Sequence, residues 1–344
     1  MFRLLLLPFS FLYGMVLYIR HQLYDSGILK SVSFQFPVIT VGNLELGGTG
    51  KTPHTLQLTH ILKPFHPAIL SRGYKRKSKG FLELPKNADP AMYGDEPVLF
   101  RKAFPEIPVA VCEKRPEGIR QIKENHPETG VVILDDAFQH RRLKPGFSVL
   151  LIDWQTLQKK TFLLPAGRLR DLWSRRHKAN VMVLSKCPSE PNEKQKETLI
   201  NKLKPNSNQT VYFSWYAYTG LTALDGTSLP LDTLKNKPLV LVCGIADPSG
   251  LIQWLEQVTN QSQQQIFPDH YAYSESDIHN IQQKFGKFAS YYIITEKDRV
   301  KLQQFIPQEN QAQWLSLQIA VQIDRPTDFE NEIKNYVATN SGDR

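Results

Sequence analysis

A glycine-rich segment between an apolar run and a helix-like stretch constrains the fold of this chain more than any other feature. Residues 38–41 are mostly β-branched and lead into Gly42, and the loop that follows contains Gly47, Gly48, Thr49, Gly50, Lys51 and Thr52. Glycines let successive backbone N–H groups turn toward one anion, and the next helix directs its positive N-terminus at the same point. We interpret the segment as a phosphate-binding loop, in which Lys51 contacts the β- and γ-phosphates and Thr52 holds Mg²⁺.

The spacing of the glycines departs from the usual phosphate-binding pattern in one place. That pattern has a glycine about five residues before Gly50, and this chain has Glu45 there. Because Gly42 and Gly47 flank that position, we expect the first half of the loop to be about two residues longer than usual. The alternative is a glycine-rich turn that contains Lys-Thr by chance, and the place of the segment between a strand and a helix argues against it.

A second apolar run ends in two acids, which a phosphate-binding loop requires nearby. Residues 130–134 are uniformly apolar after the first glycine, and Asp135 and Asp136 follow. Such a run is typical of a parallel strand covered on both faces, and ligands of open α/β sheets gather at the carboxyl ends of the strands. We expect one acid to bind Mg²⁺, directly or through water, and the other to orient the site.

Strand-like runs alternate with helical stretches along the chain. This alternation predicts an α/β fold of the P-loop NTPase type, with a mostly parallel sheet, helices on both faces and a smaller α/β domain near the C-terminus. The predicted strands of the first part are residues 37–42, 67–71, 107–112, 130–134, 147–152 and 180–184. The predicted division is an N-terminal helix (1–24), a kinase core (25–210), a hinge or linker (211–237) and the smaller domain (238–344).

The N-terminal segment is apolar but short for a transmembrane helix. Residues 4–19 carry no charge and lie between Arg3 and Arg20. As a helix they span about 24 Å, less than the roughly 30 Å hydrocarbon core of a bilayer, and Pro8 and Gly14 weaken a spanning helix further. No signal-peptidase site follows. We therefore expect a helix in the membrane interface, and a helix packed on its own protein is the alternative.

The composition is that of an ordinary folded protein, and the net positive charge favours an anionic partner. With 41% hydrophobic and 22% charged residues, the sequence is unlike that of a disordered protein. Cys112, Cys187 and Cys243 form no CxxC pair and are interpreted as reduced thiols of a cytosolic protein. The net charge of +9 arises in residues 1–180, which favours a phosphorylated substrate, lipid headgroups or nucleic acid. A solvated face explains any single basic cluster equally well.

Three further positions carry candidate chemistry. Asp95 lies in a Gly-Asp-Glu-Pro turn, where a carboxylate could accept the proton of an attacking alcohol or simply cap a helix. His270 follows Asp269, and a carboxylate partner can hold a histidine in one tautomer, although a lone histidine is more often structural. Arg168 and Arg170 lie in a segment from 164 to 171, and arginine binds phosphate through its bidentate fork.

Taken together, these motifs resemble the tetraacyldisaccharide 4′-kinase family, enzymes of lipid A synthesis in Gram-negative bacteria. The resemblance runs nearly end to end and no single motif carries it. Besides the apolar N-terminus it rests on residues 41–43, 47–53, 70–74, 94–97, 135–140, 164–167, 267–270 and 295–298. Two positions depart from the family pattern, Ala137 in place of Gly and Asp171 in place of Glu. We expect Ala137 to be tolerated if its φ is negative.

The resemblance implies ATP- and Mg²⁺-dependent phosphorylation of the 4′-hydroxyl of a tetraacyldisaccharide 1-phosphate. It implies a large P-loop domain on which a small domain closes, with Asp95 as base assisted by His270, and Asp135 and Asp136 at the metal. The site is placed at the cytoplasmic face of the inner membrane, with that lipid surface and the lipid disaccharide monophosphate as partners, no nucleic acid, and a monomeric protein. The remaining candidates for substrate or phosphate contacts are Arg72, Tyr74, Glu96, Arg168, Arg170 and Asp171.

Three other functional classes fit the sequence less well. A GTPase needs an Asn-Lys-x-Asp motif, and the nearest segment, 295–298, lacks the Asn. A membrane scaffold with a vestigial nucleotide site conflicts with the intact Lys51, Thr52 and acid pair. A nucleotide or metabolite kinase has no use for the apolar N-terminus, because its acceptors are soluble.

Overall fold

One mixed sheet of thirteen strands organises the part of the chain that the structure, a computed structural model, describes: residues 5–341. The strands are β1 (Val38–Asn43), β2 (Pro67–Ser71), β3 (Leu82–Glu83), β4 (Val109–Val111), β5 (Val131–Asp135), β6 (Phe147–Asp153), β7 (Val181–Ser185), β8 (Thr210–Ala223), β9 (Ser228–Leu229), β10 (Leu239–Cys243), β11 (Ser262–Ile266), β12 (Tyr291–Thr295) and β13 (Trp314–Ile323). Six of these correspond to the six runs predicted as strands before residue 185.

The helices that cover the sheet follow most strands. They are α1 (Leu7–Asp25), α2 (Lys51–Ile61), α3 (Pro90–Tyr93), α4 (Asp95–Ala103), α5 (Arg115–Asn125), α6 (Trp154–Gln158), α7 (Glu193–Leu203), α8 (Ser249–Val258), α9 (Glu275–Phe285), α10 (Glu296–Leu302) and α11 (Pro326–Asn340). Short 3₁₀ turns connect several of them. The strand order is β11-β10-β12-β13-β8-β7-β6-β1-β5-β2-β4-β3, with β9 beside β8.

Most neighbouring strands are parallel, as predicted. The antiparallel pairs are β13 with β8, β4 with β3 and β8 with β9. Side chains alternate between two covered faces: Ile39 and Val41 of β1 pack with Leu58 of α2, whereas Val38 packs with Ile119 of α5. Burial on both faces explains why these strands are apolar throughout.

Strand β8 belongs to two parts of the sheet. Residues 210–213 pair in parallel with β7, and residues 214–223 pair antiparallel with β13. We call β1–β7 with α1–α7 the large half, and β9–β13 with α8–α10 the small half. The predicted hinge 211–237 therefore contains most of β8 and all of β9. The division into domains stays a prediction.

Helix α11 follows the last strand of the small half but packs on the large half. Its buried side chains Phe329, Ile333 and Val337 recur at helical spacing and join the core that contains Ile39 and Val149. The sequence analysis placed this helix in the smaller domain, because it continues the alternation of strand and helix there. An apolar helix face packs wherever an uncovered sheet face lies, and here that face belongs to the large half.

Helix α1 is attached to the large half through its few polar side chains. Ser10 donates to the carbonyl of Leu163 at 2.9 Å, Tyr13 donates to the carbonyl of Arg170 at 2.8 Å, and His21 lies 2.6 Å from Asp171. The buried residues of the helix are Ser10, Leu17 and His21. One side of α1 is thus fixed to the segment 163–171.

The opposite side of α1 is apolar and exposed. Its exposed stripe consists of Leu5 just before the helix and Phe9, Leu12, Val16 and Ile19 within it, each at least half exposed. The spacing of three and four residues places them on one face. Among residues 5–341, no helix is long and apolar enough to cross a membrane. The first four residues of the predicted segment 1–24, including Arg3, lie outside the described residues, as do residues 342–344.

The packing of α11 predicts that Ile333→Ala destabilises the whole large half. Ile333 is fully buried, and truncating a buried isoleucine to alanine costs about 2–5 kcal/mol of unfolding free energy. Urea unfolding measures the difference. Lys334→Ala, the neighbouring change at a partly exposed ion pair with Glu330, is expected to cost less than about 0.5 kcal/mol. A loss below about 1 kcal/mol for Ile333→Ala would show that α11 is not part of this core.

Candidate active site

The loop between β1 and α2 has the backbone that its glycines permit. Gly47 has φ 104° and Gly50 has φ 86°, and Gly50 is the N-cap of α2. Both values lie in the left-handed region that side chains other than hydrogen disfavour. A Cβ at Gly50 would also lie 2.3 Å from the Tyr216 hydroxyl. The loop therefore requires glycine at its turns, and α2 begins directly at Lys51.

The first half of the loop is held by the segment 163–171. The N–H of Leu46 donates to the carbonyl of Arg168 at 2.7 Å, and the N–H of Arg170 donates to the carbonyl of Leu44 at 2.9 Å. Glu45, at the position where glycine is usual, is buried and accepts from the Thr156 hydroxyl at 2.5 Å. Burial raises the pKa of its carboxyl. Glu45 thus fastens the loop to α6.

The second half of the loop is fixed by two buried side chains. Asn43 donates to the Thr49 hydroxyl at 2.8 Å. His54 donates from Nδ1 to the Gly50 carbonyl at 2.7 Å, so its Nε2 accepts from the Ser214 hydroxyl at 2.9 Å. Burial lowers the pKa of His54 to about 4, which keeps the ring neutral near pH 7. These bonds fix the backbone of the loop.

The two acids after β5 lie beside the loop in different environments. Asp135 is buried and accepts from the Ser71 hydroxyl at 3.0 Å. Its other carboxylate oxygen, Oδ1, has no hydrogen-bond partner among the described residues. Burial, together with the charges of Glu96 and Asp136, raises the pKa of Asp135. An unpartnered buried carboxylate oxygen is a position that a cation would fill.

Asp136 is surrounded by positive charge. Both of its carboxylate oxygens accept from the Arg170 guanidinium, and its Oδ2 lies 3.8 Å from the Lys51 ammonium. Although burial acts to raise the pKa of Asp136, the charges of Lys51 and Arg170 hold it below its usual range. Of Asp136 and Ala137, it is Asp136 that has a positive φ, 48°. Ala137 therefore meets the condition of a negative φ, under which alanine is tolerated in place of the family's glycine.

The donor set fits Mg²⁺ bound together with a nucleotide. No group of three His, Cys, Asp or Glu side chains within residues 5–341 could hold a metal alone. Mg²⁺ commonly takes one or two carboxylates and completes its shell with phosphate oxygens and water. Thr52, Asp135 and Asp136 supply such a partial set, and the free oxygen of Asp135 agrees with it.

Asp95 and His270 lie next to each other, although 175 positions separate them in the sequence. His270 Nδ1 is 3.3 Å from Asp95 Oδ2, and Lys297 Nζ is 3.1 Å from His270 Nε2. Because an ammonium can only donate, Nε2 accepts and Nδ1 carries the proton toward Asp95. Burial acts to raise the pKa of Asp95, but the hydrogen bond from His270 and the charge of Lys301 hold it below its usual range. Asp95 is therefore ionised near pH 7.

Glu96 connects this pair to the loop. It follows Asp95 in the first turn of α4, where negative side chains are favourable, and its Oε1 accepts from the Thr52 hydroxyl at 3.4 Å. Tyr74 lies on the other side, with its ring 5.0 Å from the His270 ring. The structure thus brings the phosphate-binding loop, the two acids after β5 and the Asp95–His270 pair into one cleft.

Of the other candidate residues, some line the cleft and others support the loop, the acids or helix α1. Arg72 and Tyr74 are exposed and line the cleft, where they are free to meet a ligand. Arg168 donates to the Leu46 carbonyl at 2.9 and 3.1 Å and so supports the loop. Asp171 is buried against His21. Arg170 supports Asp136 and the Asn43 side chain.

Several residues of the site were missed in the sequence analysis. Arg115 is fully buried and donates to the backbone carbonyl of Asp135 at 3.2 Å. Nothing in the sequence around Arg115 indicates this contact, since it depends on the pairing of β5 with β2. Lys301 contacts Asp95, and here a signal exists: it follows Lys297 by one helical turn and shares its face.

The cleft between the halves has a volume of about 2530 Å³. The loop and the acids line one part of it, and residues of α8 and of the loop after β10 line another. A basic wall is formed by Arg72, Lys75, Lys114, Arg115, Arg120, Arg141 and Arg142.

The parallel sheet, the glycine loop that opens α2 and the acid-ended neighbouring strand define a P-loop nucleotide-dependent phosphotransferase. The comparisons with known proteins give the family. The family model of LpxK, tetraacyldisaccharide-1-P 4′-kinase, matches residues 2–338. The chain belongs to this family.

Individual relatives agree over nearly the whole length. The tetraacyldisaccharide 4′-kinase of Bacteroides thetaiotaomicron is 38% identical and the match covers 98% of this chain and 93% of its own. That of Flavobacterium johnsoniae is 39% identical over 87% of both chains. A crystal structure of LpxK from Aquifex aeolicus in complex with ATP superposes with a TM-score of 0.77 at 31% identity, covering 98% of this chain and all of that chain.

The position of Lys51 predicts that Lys51→Met abolishes phosphoryl transfer without unfolding the protein. The ammonium lies at the start of α2 beside Asp136, where it would neutralise charge on the transferred phosphoryl group. We expect turnover to fall by about a thousandfold or more, with a thermal midpoint close to that of the wild type. Lys235→Met, at an exposed ion pair in the small half, is the control. Near-normal turnover of Lys51→Met would remove Lys51 from the site.

Proposed function

We propose that this protein transfers the γ-phosphate of ATP to the 4′-hydroxyl of a tetraacyldisaccharide 1-phosphate, the reaction for which its relatives are named. The observation that carries the proposal is the meeting of the Asp95–His270 pair with the phosphate-binding loop in one cleft. A nucleotide hydrolase needs only the loop and a positioned water. A carboxylate held ionised opposite the loop is what transfer to an alcohol requires.

The side chains divide the chemistry among them. Asp95 accepts the proton of the acceptor hydroxyl as that oxygen attacks the γ-phosphorus, and the bond from the β–γ bridging oxygen breaks. His270 donates to Asp95 and orients it. Lys51 and the N–H groups at the start of α2 stabilise charge on the phosphates. Mg²⁺ bound at Thr52 and the acid pair supplies further neutralisation of that charge.

The size and charge of the cleft support a second, anionic substrate. A volume of about 2530 Å³ exceeds the roughly 300–1,000 Å³ of a typical small-molecule pocket. Arg72, Lys75, Arg120, Arg141 and Arg142 line the same cleft as the phosphate-binding loop. A phosphorylated sugar with acyl chains needs both this charge and this space.

Helix α1 supports a lipid acceptor and a membrane surface. Tyr13, Leu17, Arg20 and Tyr24 line the same cleft as the loop, and the exposed stripe of α1 offers an apolar face to an interface. We infer that the protein acts on the cytoplasmic face of the inner membrane, where ATP is present. Since all proposed catalytic groups come from one chain, we infer a monomer.

Phosphotransfer to a defined acceptor tests the proposal. The wild type is incubated with radiolabelled ATP, Mg²⁺ and a tetraacyldisaccharide 1-phosphate in detergent, and the position of the new phosphate is assigned by NMR. The Lys51→Met protein is the blank. A nucleoside and a free disaccharide phosphate serve as alternative acceptors, because equal transfer to them would favour a soluble-metabolite kinase. Hydrolysis of ATP without any labelled acceptor would contradict the proposal.

The exposed stripe predicts that α1 binds membranes without crossing them. Phe9→Ser, Leu12→Ser and Val16→Ser together remove apolar area from the face opposite Ser10 and His21. We expect vesicle binding to fall at least tenfold and the KM for lipid acceptor to rise, with the KM for ATP unchanged, because each buried large apolar side chain contributes about 1.5–3 kcal/mol.

The matched control for α1 is the pair Met92→Ser and Ile266→Ser, which removes comparably exposed apolar side chains elsewhere. Those changes should leave vesicle binding as it is. Equal binding by the α1 variant and the wild type in a flotation assay would contradict an interfacial role for this helix.

The contact between Asp95 and His270 predicts that they act as a unit. Asp95→Asn and His270→Ala should each lower kcat by about a hundredfold or more, since general-base catalysis contributes about that much. In the double variant the second change removes an interaction that the first has already broken. The combined loss of kcat is therefore expected to be much smaller than the product of the two single losses. Steady-state kinetics of the four proteins provides the answer. Fully multiplicative losses would mean that the two residues act independently.

A further inference from the structure

Lys301 of α10 is a buried cation that reaches the large half. It is 7% exposed, and its ammonium lies 3.5 Å from Asp95 Oδ2, 3.5 Å from Asp298 Oδ1 and 3.1 Å from the carbonyl of Tyr271. Asp95 belongs to the large half, whereas Asp298 and Tyr271 belong to the small half. The ammonium therefore bridges two carboxylates from different parts of the molecule.

The small half fixes the position of this ammonium through Asp298. That carboxylate is fully buried and accepts from the N–H of Gly244 at 3.2 Å, the Tyr273 hydroxyl at 2.9 Å and the Thr295 hydroxyl at 2.7 Å. Asp298 is saturated with donors and has no access to a substrate. Its function in the structure is to hold neighbouring groups, Lys301 among them.

We propose that Lys301 is a positioning residue for the reaction: it holds the Asp95 carboxylate ionised and in place toward the acceptor hydroxyl. This inference rests on the proposed function, in which Asp95 is the base. Lys301 is not among the described residues that line the cleft, so we assign it an effect through Asp95.

A shared ammonium suits a carboxylate that changes charge during turnover. When Asp95 takes the hydroxyl proton it becomes neutral, and a buried ammonium paired with Asp95 alone would lose its counter-ion. A buried charge without a partner is strongly destabilising. Asp298 takes no part in the proton transfer, so Lys301 keeps a carboxylate partner in both states. The second carboxylate thus explains how a fixed cation can assist a base that must be protonated and released in each cycle.

The direction of the effect follows from the groups around Asp95. Burial acts to raise the pKa of Asp95, and His270, Lys301 and Lys297 act to lower it. These groups come from the loop after β11 and from α10. Removing the charge of Lys301 leaves burial opposed by fewer cations, so the pKa of Asp95 rises. A base is active in its ionised form, and the variant must therefore lose most activity at low pH.

The test compares kcat of Lys301→Met with that of the wild type from pH 4 to pH 8, using ATP and the lipid acceptor in detergent. Because the pKa of Asp95 in the wild type lies below its ordinary value of 3.8, a rise of about one unit leaves the ratio of variant to wild type unchanged between pH 8 and pH 6 and lowers it about twofold or more by pH 4. The KM for ATP should change less than about twofold, because Lys301 contacts Asp95, Asp298 and Tyr271 rather than the phosphate-binding loop. Lys301→Arg keeps the charge, and its ratio should be independent of pH.

Two further variants make the test robust. Lys301→Gln keeps a donor for Tyr271 and Asp298 but has no charge, and it takes the place of Lys301→Met if that protein does not fold. Lys235→Met removes a lysine from an exposed pair with Asp232 and should match the wild type at every pH. Thermal unfolding of each protein is measured at both pH values.

The possible outcomes distinguish a failure of the positioning role of Lys301 from a failure of the proposed function. A loss that is equal at pH 4 and pH 8, or no loss at all, would overturn the positioning role while leaving the kinase activity of the wild type in place. A wild type that phosphorylates no lipid acceptor would overturn the proposed function and this inference with it. Loss that appears only at low pH and is prevented by arginine would establish the role.

Discussion

The cleft exists because one strand is shared by both halves of the molecule. Residues 210–213 of β8 complete the parallel sheet of the large half, and residues 214–223 begin the small half by pairing with β13. Strand β8 runs without a break from the large half into the small half. In this arrangement the loop that carries His270 lies beside Asp95, and the two halves are joined by β8 and by the return of α11 to the large half.

The segment 163–171 connects the outer surface of the protein to the phosphate-binding loop. Its carbonyl groups accept from Ser10 and Tyr13 of α1, and its backbone pairs with residues 44–46 of the loop. Arg170 then contacts Asp136, and the next residue, Asp171, contacts His21. Helix α1 and the acids after β5 are thus separated by a single peptide segment. The shorter side chain of Asp171 makes a buried contact with His21.

Much of this architecture could be predicted from the sequence, because local signals determine it. Apolar runs with helices between them predicted six strands of the large half, and the glycine loop and the acids after β5 were found from their own residues. Strand β11 was missed, because its Ser-Gln-Gln-Gln-Ile sequence lacks the apolar pattern of a central strand and lies at the edge of the sheet. The place of α11 was also missed, since periodicity shows that a helix has an apolar face but not which sheet that face covers.

The pairing of Asp95 with His270 and Lys301 shows where sequence reasoning ends. The residues alone gave the first two as isolated candidates, the family resemblance implied that they act together, and the fold supplied the distance between them. The spacing of Lys301 from Lys297 places both on one helix face but does not show that Lys301 is buried against a carboxylate. The role of Lys301 depends on Asp298, whose burial follows from the packing of β12 and β10. A buried charge needs a partner wherever it lies. The Lys301 ammonium has two carboxylate partners, Asp95 and Asp298. This partner set is evidence about how the charge of Asp95 is balanced, and the spacing of residues in the sequence does not contain it.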